Sequence, residues 1–286
     1  MKLTVENHVL RRRYDDFRAV DMIAEAGFDG IDFAFYDMGD WKEIFEAQDP
    51  VAYAKRLRAY AEEKGVSFCQ AHAPFEFRYG MGQTVEDPVY ARIVKSMEFA
   101  ALLGIPAIVI HAIGDPDSPD YMQINYDYYR SFLPYCEKYD IKVCVENLMY
   151  YHPETGTCTP EPFGTPELFN EMIDWLDSPY YVGCVDLGHA KLTGCEPEDF
   201  LLGAGKRVQY LHVHENDGHL DLHRLPLQFS FHWDKIMKAL KEIDYQGNFN
   251  FAIINYLNIY ENEMLPAALK FAAETGRYLM KKMEQP

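Results

Sequence analysis

Eight side chains of the kinds that bind divalent cations follow short apolar runs in this chain. His72 ends FCQAH, His111 ends AIVIH and Glu146 ends KVCVE; Asp186 and His189 lie in VGCVDLGHAKL, and His212 lies in VQYLHVHEND. Asp221 and His223 bracket Leu222 in the next loop. Imidazole nitrogens and carboxylate oxygens are the ligands of Mn2+, Mg2+, Co2+ and Zn2+ centres, provided three or more converge on one ion. Spread over 150 positions of a linear chain they mean little. The expectation of a divalent-metal centre therefore depends on elements that gather them.

Glu146 carries the strongest single signal, because a carboxylate ending an apolar strand is costly unless it is paired or bound to a cation. Asp186 repeats that position one unit later and His212 repeats it again. Each shares strand parity with an inward neighbour: Cys144 with Glu146, Cys184 with Asp186, Tyr210 with His212. One polar strand end alone is more often satisfied by loop backbone; three in successive units argue for metal ligands. His189, three residues beyond Asp186, could bind a substrate hydroxyl, act as acid or base, or ligate a second metal. His72 and His111 divide evenly between satisfied core histidines and functional ones. His214 shares the parity of His212 and is a possible ligand in its place, but it reads better as a loop residue. The Asp221–His223 triplet is weak on its own.

The positioning elements are legible as an alternation. Apolar, β-branched runs occur near 2–6, 28–35, 66–71, 105–111, 141–146, 181–186, 208–213 and 248–254. Helical periodicity occupies 15–26, 50–64, 87–103, 122–138, 166–177, 197–204, 233–243 and 263–282 between and after them. Eight such pairs predict an α/β chain of the (β/α)8 TIM-barrel class, with residues 1–286 as a single domain. Asp49-Pro50, Asp87-Pro88 and Thr165-Pro166 place a capping residue before a proline at the first helical position. Gly27, Gly65 and Gly104 stand where helices should end. The longer irregular segments 112–121, 147–164 and 214–232 all follow strands. In a barrel they lie at the C-terminal rim with the eight side chains.

Composition narrows the partners. A formal net charge of −18 opposes a polyanion as main partner, so nucleic acid is not expected. The one basic run, Arg11–Arg13, reads as a solvated loop. Aromatic residues make up 15% of the chain, which suits a core first and sugar stacking second. The six cysteines lack CxxC spacing and read as reduced thiols. No leader-like apolar segment and no run of 18 apolar residues occur, so a cytoplasmic protein outside the membrane is expected.

The ordered series HAPF, VIH, VEN, VDLGHA, LHVHEND and DLH resembles the xylose isomerase-like barrel superfamily over roughly residues 28–282. That superfamily includes sugar isomerases, keto-sugar epimerases, inosose dehydratases and type IV apurinic endonucleases. The resemblance to its sugar-acting members implies one divalent metal on Glu146, Asp186 and His212, with a final Glu on the last strand. It also implies that His189 contacts substrate. The endonucleases' three-zinc pattern would map onto His72, His111, Glu146, Asp186, His189, His212, Asp221 and His223. The departure is at the last strand, where Tyr245-Gln-Gly-Asn-Phe-Asn-Phe ends in Ala252 instead of Glu. No carboxylate close in sequence replaces it, since the next acidic residue is Glu261.

The resemblance therefore implies a metal-dependent isomerase or epimerase of a keto-sugar, polyol or related glycoside, impaired by Ala252. Either a disabled version of an active enzyme or a natural change of chemistry would account for that residue. Glu146 would serve as ligand and general base, and His189 as the group polarising a substrate oxygen. His72, His111, Asp221 and His223 are candidate substrate contacts, and Tyr150, Tyr151 and Phe163 could close over the sugar. Elimination on a sugar-like substrate would use the same machinery. The alternatives are a non-catalytic sugar-binding protein or complex subunit and an endonuclease-like phosphodiesterase. Barrels of this kind often pair, so a homo-oligomer is compatible, although no segment marks an interface.

Overall fold

The computed structural model describes residues 1–36, 49–75, 88–151, 158–160 and 162–283. Eight parallel strands form one sheet: β1 (Leu3–Glu6), β2 (Gly30–Ala34), β3 (Ser67–His72), β4 (Ala107–Ile110), β5 (Lys142–Glu146), β8 (Tyr181–Asp186), β9 (Val208–His212) and β10 (Phe249–Phe251). Two further strands, β6 (Met149–Tyr151) and β7 (Cys158–Pro160), form a small antiparallel pair above the rim. The sheet runs in the order β10-β1-β2-β3-β4-β5-β8-β9. Val213 then bridges Phe251, its N–H donating to Asn250 O (2.8 Å) while Ala252 N–H donates to Val213 O (3.1 Å). That contact joins the two ends, so neither edge is left to pair elsewhere.

The helix ends follow the local chemistry read from the sequence. Asp49 Oδ1 accepts from Val51 N and Ala52 N, and Thr165 Oγ1 from Leu168 N. Gly27, Gly65 and Gly104 adopt φ of 96°, 77° and 77°, which a side chain would resist. Asp87 lies outside the described residues, although the helix after it does begin at Pro88. The helix expected over 122–138 is two, Tyr121–Ser131 and Leu133–Tyr139. Pro134 has no N–H to offer the carbonyl of Arg130, and the turn breaks there.

Arg11–Arg13 is a correction. These residues end a short helix, His8–Arg13, rather than forming a solvated loop. The Arg11 side chain is largely enclosed: Nε donates to Asp16 Oδ1 (2.6 Å), a terminal nitrogen donates to Ala34 O (2.6 Å), and the guanidinium lies over Phe33. Arg13 donates to the carbonyls of Tyr260 and Asn258. The run therefore fastens loops to the barrel, and it offers no free basic patch for a polyanion.

The barrel interior is divided. Ala107, Val109, Cys144, Val182 and Cys184 make an apolar cluster on one side, with Tyr210 against it. On the other side Thr4 Oγ1 donates to Asn250 Oδ1 (2.7 Å), while Asp32 Oδ2 accepts from Asn250 Nδ2 (2.7 Å) and Gln70 Nε2 (3.0 Å). The larger core lies between sheet and helices, where the C-terminal helix Leu265–Met283 packs over β1. Arg277 on that helix forks onto Asp29 (2.8 and 2.7 Å). All six cysteines are free thiols. Among the described residues no helix is long and apolar enough to cross a membrane.

Candidate metal centre

Parallel strands wound into a cylinder deliver their C-terminal ends to one rim, and the eight candidate side chains meet there. His212 Nδ1 donates to Glu146 Oε1 at 2.6 Å and lies 3.8 Å from Asp186 Oδ2. All three residues are buried. Asn147 locks their frame: its Oδ1 accepts from Asp186 N (2.7 Å), and its Nδ2 donates to Asp186 O (2.9 Å). Asp186 also caps the short helix Leu187–Leu192, its Oδ1 accepting from His189 N (2.8 Å). That cap turns the chain so that His189 faces back into the pocket.

Two groups flank this centre. On one side, His111 Nε2 stands 3.0 Å from Glu146 Oε2 and 3.0 Å from His72 Nε2. On the other, Asp221 Oδ2 accepts from His223 Nε2 (3.0 Å) and lies 3.7 Å from His189 Nε2. His214 completes that second group, with Nε2 2.9 Å from Asp186 Oδ1 and 3.8 Å from Asp221 Oδ1. His214 lies beyond the end of β9, as expected of a loop residue, yet it belongs to the cluster. It is fully buried and stacked on His223, because the strand path continues past His212 through the Val213 bridge and keeps its parity.

The donor set fits a cation. His72, His189 and His223 each direct Nδ1 to a backbone carbonyl, that of Ala73 (2.9 Å), Asn147 (3.0 Å) and Ala252 (2.8 Å). With Nδ1 on a carbonyl, each ring turns Nε2 toward the pocket; His189 and His223 hold a proton there at neutral pH, which a cation would displace. Glu146 Oε2 and Asp221 Oδ1 are buried without an aligned hydrogen-bond donor, although imidazole nitrogens stand close to both. Buried carboxylate oxygens call for a partner, and a cation among these imidazoles would supply one. Ligand-type atoms of His72–His111–Glu146, of Glu146–Asp186–His189 and of His189–His214–Asp221–His223 lie within 4.8 Å of one another in each group.

The charges support one another. Burial opposes ionisation of Glu146, but His212, His111 and His72 hold its carboxyl well below the usual range. Burial opposes Asp186 too, and His189 and His214 bring it down to about 2. His189, which burial alone would lower, is raised to about 10 by Asp186 and Asp221; His223 is raised to about 9 by Asp221. His111 goes the other way, lowered to about 4 chiefly by burial.

Several site groups escaped the sequence reading. Asp32 is buried with Oδ2 3.7 Å from His212 Nε2, on the face of that ring opposite Glu146. Glu6 is buried beside Asp32, and its carboxyl is pushed up to about 8 by burial and by Asp32. Tyr36 packs its ring against His72 and Phe75. Glu215 accepts from Trp233 Nε1, Gln228 N and Phe229 N, and so shapes the loop that carries Asp221 and His223. Glu6 and Asp32 carry a signal of their own, a carboxylate in the first and second apolar runs. Proximity round a barrel is set by strand pairing, and β1, which ends in Glu6, pairs with the strand that precedes Ala252. Phe163 is a fully buried core residue and does not overhang the pocket, while the side chain of Tyr151 lies outside the described residues.

Comparison with known proteins agrees with this architecture. Over 244 residues the chain is 26% identical to MJ1311, an uncharacterized protein of Methanocaldococcus jannaschii, spanning 80% of this chain and 76% of that protein. A D-tagatose 3-epimerase-like protein shares the fold with a TM-score of 0.74 at 21% identity, over 99% of this chain and 98% of the other. The IolI protein, solved with a bound zinc atom, does so with a TM-score of 0.70 at 16% identity, over 99% and 98%. The xylose isomerase-like TIM barrel family matches residues 20–275, and the chain belongs to that family.

Proposed function

We propose that the protein is a divalent-metal-dependent isomerase or epimerase of a small keto-sugar or polyol. The observation that carries this reading is Glu146, an ionised carboxylate with one oxygen on His212 and the other unsatisfied beside His111. Glu146, Asp186 and His212 would hold the cation. When bound, it supplies a Lewis acid that offsets negative charge on a substrate oxygen as a neighbouring C–H proton leaves. Glu146 stays deprotonated at neutral pH and can take that proton at Oε2. His189, fixed at Nδ1 by Asn147 O, presents Nε2 to a substrate hydroxyl, with Asp221 behind it. His72, His111, Asp221 and His223 line the remainder of the pocket as substrate contacts. The sugar class is supported by the epimerase-like neighbour and the metal by the zinc-bound one.

The test is turnover on a panel of ketoses, comparing metal-loaded protein with Glu146→Gln, Asp186→Asn and His189→Gln. Interconversion that needs added metal and is lost in each variant is expected. Ketose binding without turnover would instead favour a non-catalytic sugar-binding protein.

A second reading has its own observation: the two flanking groups bring together more ligands than one ion requires. That favours a polynuclear centre hydrolysing a phosphodiester. Metal analysis separates the readings, one ion per chain supporting the isomerase and three supporting the hydrolase. The charge of −18 weighs against a nucleic-acid substrate.

A further inference from the structure

We propose that Glu6, at the end of β1, gives the metal centre the carboxylate that the last strand lacks at Ala252. The argument is one of register. β1 pairs with β10 with Thr4 opposite Asn250 and Val5 opposite Phe251, so Glu6 follows beside Ala252. The hydrogen bond from Thr4 Oγ1 to Asn250 Oδ1 (2.7 Å) places both those side chains in the barrel interior. Two residues on, strand alternation puts Glu6 and Ala252 on that same face. Both are buried, 4% exposed each. Neighbouring strands lie about 4.8 Å apart, a distance that a glutamate side chain can span by changing rotamer. An alanine methyl at 252 supplies no oxygen and little bulk to keep the Glu6 carboxylate from that space.

The surroundings suit the role. Glu6 pairs with Asp32 across β1 and β2, and it lies within the electrostatic reach of His212 and His223. One oxygen, Oε1, accepts from His8 N at 2.7 Å, so turning toward the centre exchanges a single backbone hydrogen bond for the cation. Asp32 Oδ2 accepts from Gln70 and Asn250 and stands 3.7 Å from the far nitrogen of His212, but Asp32 lies on β2, one strand further from Ala252 than Glu6. Glu6 is thus the carboxylate placed to replace a ligand on the adjacent strand.

This inference rests on the reading of Glu146, Asp186 and His212 as a cation site, so the experiment tests the two separately. Mn2+ binding to the metal-stripped full chain is measured by calorimetry for wild type, Asp186→Asn, Glu6→Gln, Ala252→Glu and Glu6→Gln with Ala252→Glu. Folding of each is checked by circular dichroism. Glu6→Gln should weaken Mn2+ binding by about tenfold or more, as losing a metal-supporting group does, and the double variant should recover it. Ala252→Glu alone should gain less than about threefold, the position being served already. Wild-type affinity in Glu6→Gln, with Asp186→Asn impaired, would overturn the role of Glu6 and leave the cation site standing. Wild-type affinity in Asp186→Asn would overturn both. Should Glu6→Gln not fold, a tenfold gain in Ala252→Glu alone would also refute the proposal.

Discussion

Replacing Glu146 by Gln keeps the shape of the side chain but removes the charge that the pocket is built around. The carboxylate touches His212 at 2.6 Å and His111 at 3.0 Å, with His72 at 3.7 Å and His189 at 3.9 Å. A neutral amide would offer one weaker oxygen and a nitrogen that binds no cation, so affinity for metal should fall about 100-fold, the upper range for weakened metal support. Mass action converts this into heat stability. At a free Mn2+ concentration 1,000 times the wild-type Kd, binding stabilises the native state by about 4 kcal/mol, and after a 100-fold loss by about 1.4 kcal/mol. For a chain of this size a kcal/mol moves Tm by roughly 2 °C. Added metal should therefore raise Tm by about 8 °C in wild type and about 3 °C in the variant. Thermal unfolding with and without Mn2+, followed by circular dichroism, measures both, and taking the difference removes any change in the metal-free fold. Equal metal-induced shifts would refute Glu146 as a ligand.

Further outcomes are expected. The metal-free protein should lose stability as pH rises from about 6.5 to 10: His189 and His223 have folded pKa values of about 10 and 9, above the ordinary 6.5, so their contribution is complete below 6.5 and disappears through 9–10. Glu6, raised to about 8, adds a loss between 4.5 and 8, whereas His111, lowered to about 4, gives the opposite loss as pH falls from 6.5. Urea midpoints against pH should thus stay level from about 4.5 to 6.5 and fall above that, with a shallower alkaline limb in His189→Gln than in wild type; an unchanged limb in that variant would refute the part assigned to His189. Metal binding should release protons and tighten over the same alkaline range, which calorimetry in buffers of different ionisation heat would detect. Gly188→Ala would drive a methyl into the His214 ring, displacing it from Asp186; a loss of about 1–3 kcal/mol in urea unfolding is expected, with weaker metal binding. Arg277→Ala should cost about 1 kcal/mol or less, since its fork onto Asp29 is partly exposed to water, and should leave metal affinity unchanged.

What the chain reveals by itself is whatever is encoded locally. Proline after Asp49 and Thr165, and glycine at 27, 65 and 104, mark helix ends because capping and left-handed backbone depend on a few adjacent residues. The equivalence of Glu146, Asp186 and His212 was visible for the same reason: each strand alternates inward and outward with period two, so parity can be read along one segment. Pairing between segments cannot be read that way. Only the closed barrel brings His214 onto Asp186, lays Arg11 over Phe33, and sets Glu6 beside Ala252 from the far end of the chain. Strand register and ring closure come from the summed packing of the whole cylinder, a non-local quantity that no window of sequence contains.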